Sequence, residues 1–221
     1  GQLAVTDNKF IRIGNGVGRY GSQLASCVSL DKSDIQSRSV RFVFVGNFNS
    51  FHQRFGLDRF LSGINAFPTK ERSQVELHII GCKDAEFPYQ IPENFDIIFH
   101  GKISSHNMVD YLRSFDCGIG ALGFHRVGIS DAAPLKERDY AAALLPYISS
   151  VNDYQLGETP IFRMQVNPTD EDIDIEKAIE FTFAYWRSEK KQKSYQSSVE
   201  EFLSWDRAMI GVTQYLKDEL S

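Results

Sequence analysis

Two alternating periods constrain this chain more than anything else in it. Residues 40–45, 75–80, 96–99, 117–122 and 146–151 form short β-branched or aromatic runs, apolar on both alternations, as in Phe42-Val43-Phe44-Val45. Strands of that kind are covered on both faces, as in parallel sheets. Between them apolar residues fall at helical spacing: Leu57, Phe60, Leu61, Ile64 and Phe67, then Met108, Val109, Leu112 and Phe115, then the stretch 135–145. Strand then helix, repeated, predicts an α/β fold, a Rossmann-like doubly wound parallel sheet of about six strands flanked by helices. From Asp170 the pattern turns charged and helical, through Ile175, Ile179, Phe183 and Trp186 and on to Met209, Val212 and Leu216, so a helical tail is expected. Asp170-Glu171-Asp172 ahead of it suits the positive end of a helix dipole. Lys190-Lys191-Gln192-Lys193 reads as a solvated helix end, with an anionic surface as the competing reading. Near the start, Phe10-Ile11-Arg12-Ile13 reads as a further short strand. Gly14-Asn15-Gly16-Val17-Gly18 then reads as a turn, since no helical pattern follows to make it a dinucleotide fingerprint.

A chain of 221 residues can bury a core without staples. Its 29 acidic against 24 basic residues give a net charge of −5, which argues against nucleic acid as a partner. Cys27, Cys82 and Cys117 are too scattered for a disulfide framework, and no C-x-x-C pair suggests zinc. Such usage fits a reducing, cytoplasmic setting. No apolar run reaches the length of a membrane span, and no secretory signal opens the chain. The first residue is Gly1, which fits a piece cut from a longer protein.

Four runs end in glycine: Gly46, Gly81, Gly101, and Gly123 after Gly118 and Gly120. In a doubly wound sheet the ligand lies over these carboxyl ends, where glycine admits a close approach. The alternative is an ordinary liking of strand-to-helix turns for glycine. Further along, Pro134 fits the first position of a helix, which puts Lys136 in the first turn, where a cation opposes the dipole. A bound anion would compensate; so would Glu137 and Asp139 around a solvated lysine. Asp139 falls in line with Leu135, Ala142 and Ala143, so its carboxylate points to the packed side or its rim. It needs partners there, and ribose hydroxyls or a nearby structural donor would both serve.

The segment Pro134-Leu135-Lys136-x-x-Asp139-Tyr140-x-Ala142-x-x-x-Pro146 resembles the donor-site helix of retaining glycosyltransferases of the GT-B fold, of the large family 4 type. Those proteins read Pro-x-Lys-x-x-Glu-Tyr-x-Ala-x-Gly-x-Pro, with a second glutamate eight positions before the first. Asp131 and Asp139 stand at that separation here, each one methylene shorter, and Leu144 stands at the usual glycine. Phe42-Val43-Phe44-Val45-Gly46-Asn47 is similar to the first strand and glycine loop of the family's C-terminal domain. Arg54-Phe55-Gly56-Leu57-Asp58 is similar to its Lys-Gly-Leu-Asp segment, with Phe55 where lysine is common. Ile98-Phe99-His100-Gly101-Lys102-Ile103 resembles the strand that holds the base. Phe202-Leu203-Ser204-Trp205-Asp206 resembles the closing Phe-Ser-Trp, and Gly14-Asn15-Gly16-Val17 the junction between the two domains.

The resemblance implies that residues 1–18 come from the junction with a missing N-terminal domain. Residues 19–221 would then be a nucleotide-sugar-binding domain with C-terminal helices from about 170. This would be the donor half of an enzyme moving a hexose-type sugar, with retention, to a glycan or lipid-linked acceptor, and inactive alone. Asp131 would contact the transferred sugar near the reacting carbon, as the catalytic residue, and Asp139 the ribose. Lys136 and Arg54 would neutralise the diphosphate, and Gly46, Asn47, Gly101, Lys102 and Ile103 would complete the donor site. No cofactor or metal is implied, and the full-length enzyme would work in the cytoplasm or at the inner face of a membrane. Competing readings are a non-catalytic flavodoxin-like interaction domain and another sugar-nucleotide enzyme such as a hydrolysing epimerase. His52, His78, His100, His106 and His125 show no ligand spacing and read as structural or surface residues, with His125 bordering the pocket; Phe48 and Phe51 read as loop packing.

Overall fold

A computed structural model describes residues 32, 34–48, 52–156, 160–203 and 205–220. Six strands, β1 (Val40–Val45), β2 (Val75–Ile80), β3 (Ile97–Phe99), β4 (Cys117–Ile119), β5 (Tyr147–Ser149) and β6 (Arg163–Gln165), form one sheet in the order 3-2-1-4-5-6. Every pairing is parallel, and Phe42 of β1 sits opposite both Leu77 and Cys117. The sheet is thus Rossmann-like and doubly wound. Its direction of growth reverses between β1 and β4, and the crevice above that point is where such folds hold ligands. A flavodoxin-like domain orders its strands 2-1-3-4-5, so that reading fails on topology.

The helices are α1 (Leu57–Ala66), α2 (Ser105–Leu112), α3 (Leu135–Ala142), α4 (Ile175–Trp186), α5 (Glu189–Ser198) and α6 (Trp205–Leu220), with a π-helical turn over Val199–Leu203. The lysine run lies in α5, with Lys190 and Lys193 exposed. The cap of α4 is Asp174, whose side chain accepts from the Lys177 N–H at 3.1 Å; Asp170 pairs elsewhere. Both faces of the sheet are covered, as its doubly apolar strands require. Phe42, Phe44, Leu77, Ile79 and Ile119 pack with Leu57, Phe60 and Ile64 of α1 and Ile175 and Ile179 of α4. Val43, Ile80 and Tyr147 face the other way, onto Leu112, Tyr140, Ala141, Tyr185 and Tyr195.

Two expectations change. The strand expected over 117–122 stops at Ile119, because the next peptides turn to other partners: Ala121 N–H to Glu137 and Leu122 N–H to Phe55 O. The sixth strand is Arg163–Gln165, too short and polar to show a period. The expected strand over residues 10–13 and the junction over residues 14–18 lie outside the described residues, as do Cys27 and Phe51. Cys82 and Cys117 are free, buried thiols.

Apart from Gly101, the glycines at the strand ends lie against the chain's own atoms. A Cβ on Gly81 (φ 113) would strike Gly46 O, and one on Gly118 would sit 2.6 Å from the Tyr140 ring. Gly118→Ala should therefore cost about 1–3 kcal/mol as the helix is pushed off the sheet. Urea unfolding measures it, and an unchanged midpoint would show that Tyr140 yields freely.

Candidate donor site

Helix α3 carries the site. Pro134 (φ −64, ψ 136) precedes it as the cap, one position earlier than expected, and its carbonyl accepts from the N–H groups of Glu137 and Arg138. At the other end Leu144 adopts φ 55, a conformation that favours glycine, and the Leu145 N–H reaches back to Tyr140 O at 2.9 Å. Tyr140 fixes the helix to the sheet. Its buried hydroxyl lies 3.2 Å from Val43 O and 3.0 Å from Ile119 O, and accepts from the Val45 N–H at 3.1 Å. Those groups belong to β1 and β4, the two strands at the reversal.

Lys136 leaves the first turn of α3 and lays its ammonium on two rings, 3.6 Å from the Phe44 centroid and 4.7 Å from that of Phe55. The Nζ is buried and has no hydrogen-bond partner among the described residues, although the rest of the side chain is half-exposed. Burial pushes its pKa down to about 7; Glu137 opposes the shift and the Arg54 guanidinium adds to it. Arg54 is exposed and stacks 5.7 Å from the Phe55 ring. Three residues beyond Lys136, and so on the same side of the helix, the Asp139 carboxyl is pushed up to about 6 by burial. It too finds no partner among the described residues.

Asp131 is exposed at the edge of the crevice. Its Oδ1 accepts from Asn152 Nδ2 at 2.6 Å and its Oδ2 from the Ser130 hydroxyl at 2.7 Å, stitching its segment beside the end of β5. Gly46 sits behind the Phe44 ring, with Asn47 exposed next to it. Gly101, Lys102 and Ile103 follow β3. Gly101 (φ 62) accepts from the Gly81 N–H at 2.7 Å and opens onto free space, Lys102 is exposed, and Ile103 packs toward α2. Ring contacts thus link Lys136 to Phe44, behind which Gly46 sits, and to Phe55, on which Arg54 stacks, with Asp139 on the same helix face; Asp131 lies beside Asn152 just after β5, and residues 101–103 follow β3.

The sequence pattern did not mark what lies beneath. Glu137 is fully buried, its Oε1 accepting from the Ala121 N–H at 2.9 Å and the Ser149 hydroxyl at 2.8 Å, which holds the loop after β4 under the helix. A Cβ on Gly120 would meet the same oxygen at 2.5 Å. Arg138 and Asp153 pair at 2.6 Å, also buried. Phe55, standing where lysine is common in the resembling family, presents a ring to Lys136 in place of a second ammonium. His125 pairs with Asp170 at 3.1 Å, and Phe48 packs among Phe44, Phe55, Phe87 and Tyr89. His78 and His100 face each other at 3.0 Å, continued by Tyr111 on one side and Glu76 on the other. No three His, Cys, Asp or Glu side chains converge as metal ligands among the described residues, and none of their helices is long and apolar enough to cross a membrane.

No known family profile matches the chain, and no curated protein matches it. Solved structures do. Sucrose-phosphate synthase from Thermosynechococcus elongatus superposes with a TM-score of 0.59 at 14% identity, covering 94% of this chain and 50% of the synthase. WaaG, a glycosyltransferase involved in lipopolysaccharide biosynthesis, gives 0.57 at 13%, covering 95% and 56%. T4 phage BGT, solved with UDP and Mn2+, gives 0.52 at 16%, covering 82% and 48%. The fold is that of one half of a GT-B glycosyltransferase. The chain spans about half the length of these neighbours.

Proposed function

We propose that this chain is the donor-binding half of a retaining glycosyltransferase, which takes a hexose-type sugar from a nucleoside diphosphate and passes it to a glycan or lipid-linked acceptor. One observation carries the reading: a buried lysine without an acceptor among the described residues, beside an arginine, at a helix N-terminus above the reversal point of the sheet. Such a place attracts a dianionic diphosphate. Asp139, one turn along, accepts hydrogen bonds from the ribose hydroxyls when ionised. Asp131 faces the transferred sugar near its anomeric carbon. Gly46 and Asn47 line the crevice over β1, and Gly101, Lys102 and Ile103 take the base at the end of β3. As the bond from the anomeric carbon to the diphosphate oxygen breaks, negative charge grows on the leaving group, and Lys136, Arg54 and the α3 dipole stabilise it. The acceptor would be held by a domain outside this chain, so the chain alone binds donor without turning it over. The free thiols Cys82 and Cys117 fit a cytoplasmic place of work.

Isothermal titration with UDP, GDP and their sugars tests this reading. At least one should bind, and Asp139→Asn should weaken it roughly tenfold through the lost charge-assisted bonds to ribose. If no nucleotide binds the wild-type chain, the reading is wrong.

A further inference from the structure

The ammonium of Lys136 lies against aromatic faces, with no oxygen among the described residues to receive its protons. Ring faces attract a cation, by about 0.5–2 kcal/mol, but they do not replace the hydrogen bonds that water gave it. Arg54, on the turn of residues 52–55, places a second positive charge nearby. From β1 only the Phe44 ring meets the amine. The other ionisable groups of its own helix are Glu137, whose Oε1 is committed to Ala121 and Ser149, Arg138, which pairs with Asp153 at 2.6 Å, Asp139 one turn on, and Tyr140, whose hydroxyl is bound to the sheet. In the empty crevice the surroundings favour the neutral amine. A diphosphate reverses this by bringing acceptor oxygens and negative charge.

We propose that the crevice takes up a proton from solvent when it captures a diphosphate, and that the proton lands on Lys136 Nζ. This rests on the donor-site reading above. The balance is simple: neutral amine, diphosphate and one proton from buffer become an ammonium paired with the diphosphate. Affinity then falls as pH rises above the value at which the free amine titrates, which burial has brought down to about 7. Asp139, at about 6, is already ionised in that range and adds no slope. Below it, protonation of Asp139 removes the acceptor for ribose, so affinity peaks near neutrality.

Calorimetry with UDP at pH 8 in buffers of different ionisation heat reads the proton count, since the phosphate ionises with a pKa near ~6 and is silent there. Wild type should take up close to ~1 proton and lose affinity by nearly tenfold per pH unit above pH ~8. Lys136→Arg, charged throughout, should take up almost none. UDP binding with no dependence on buffer would overturn the coupling and leave the donor site standing. A second readout needs no nucleotide: the Cε resonance of 13C-lysine at position 136, titrated in the free protein, should have its midpoint near 7. A midpoint near the ordinary lysine value of 10.5 overturns the inference whatever the ligand does. Failure of UDP and GDP alike to bind overturns the donor reading and the coupling with it.

Discussion

Lys136→Met is expected to cost at least tenfold in nucleotide affinity while making the free protein harder to unfold. The two effects share one cause. A charged hydrogen bond to a diphosphate contributes about 1.5–3 kcal/mol, which disappears with the amine. Without nucleotide that amine has lost water and, among the described residues, gained two rings and no acceptor, so a thioether of similar length relieves a desolvation cost. A rise of about 1 kcal/mol in unfolding free energy is expected. The pH dependence carries a sign. The folded-state pKa lies at about 7, below the ordinary lysine value of 10.5, so the unfolded chain holds more protons between those limits. Wild-type stability therefore gains from this residue as pH rises through that window, and the methionine variant lacks the gain. Titration calorimetry and urea unfolding at pH 7 and pH 9 measure both effects. A variant that binds UDP within threefold of wild type would remove Lys136 from the site.

Asp116→Asn is the second large effect, and it lies at the other end of the sheet. Asp116 is fully buried just before β4 and accepts from Arg38 Nη1 at 2.6 Å, Arg38 Nη2 at 2.9 Å, Lys32 Nζ at 3.1 Å and the Arg41 N–H at 2.9 Å. Burial alone would raise its pKa. The Arg38 hydrogen bonds, the Arg41 N–H and the Lys32 charge outweigh that and hold it at about 2. An amide of the same shape leaves the buried Lys32 without its counter-charge and Arg38 with only the exposed Asp34 at 3.3 Å, at a cost of about 3–5 kcal/mol. Because the folded pKa is depressed, this support is complete above the ordinary carboxylate value near 3.8 and is lost as pH falls toward 2. Thermal unfolding should show a drop in Tm with UDP affinity unchanged in the folded protein. A Tm within a degree of wild type would mean that the arginines find solvent instead.

The sheet was legible because its strands are apolar on both alternations, a pattern that few other structures produce. Strand ends were less so. Ala121 and Leu122 continue the apolar character of β4, yet their peptides bond to Glu137 and Phe55, partners distant in sequence. Arg163-Met164-Gln165 offers no period and becomes a strand only by pairing with β5. In the candidate site, helical spacing put Lys136 in the first turn and Asp139 toward the packed side, and both lack partners among the described residues. Their surroundings were hidden. Glu137 looks like one more charge in a polar helix start, and only Ala121 and Ser149 make its burial tolerable. Phe44 looks like a core residue, which it is, and nothing in its neighbours reveals that its ring also carries a cation.

The meeting of Gly46 and Gly81 at the tops of β1 and β2 has an evolutionary consequence. With backbone pressed on backbone there, the floor of the crevice is an unyielding ledge that accepts neither larger residues nor widening. On the donor-site reading proposed above, a descendant of this protein that changes its preferred donor would do so from the lips: at Gly101, where a side chain would project into empty space, and at the exposed Lys102 beside it.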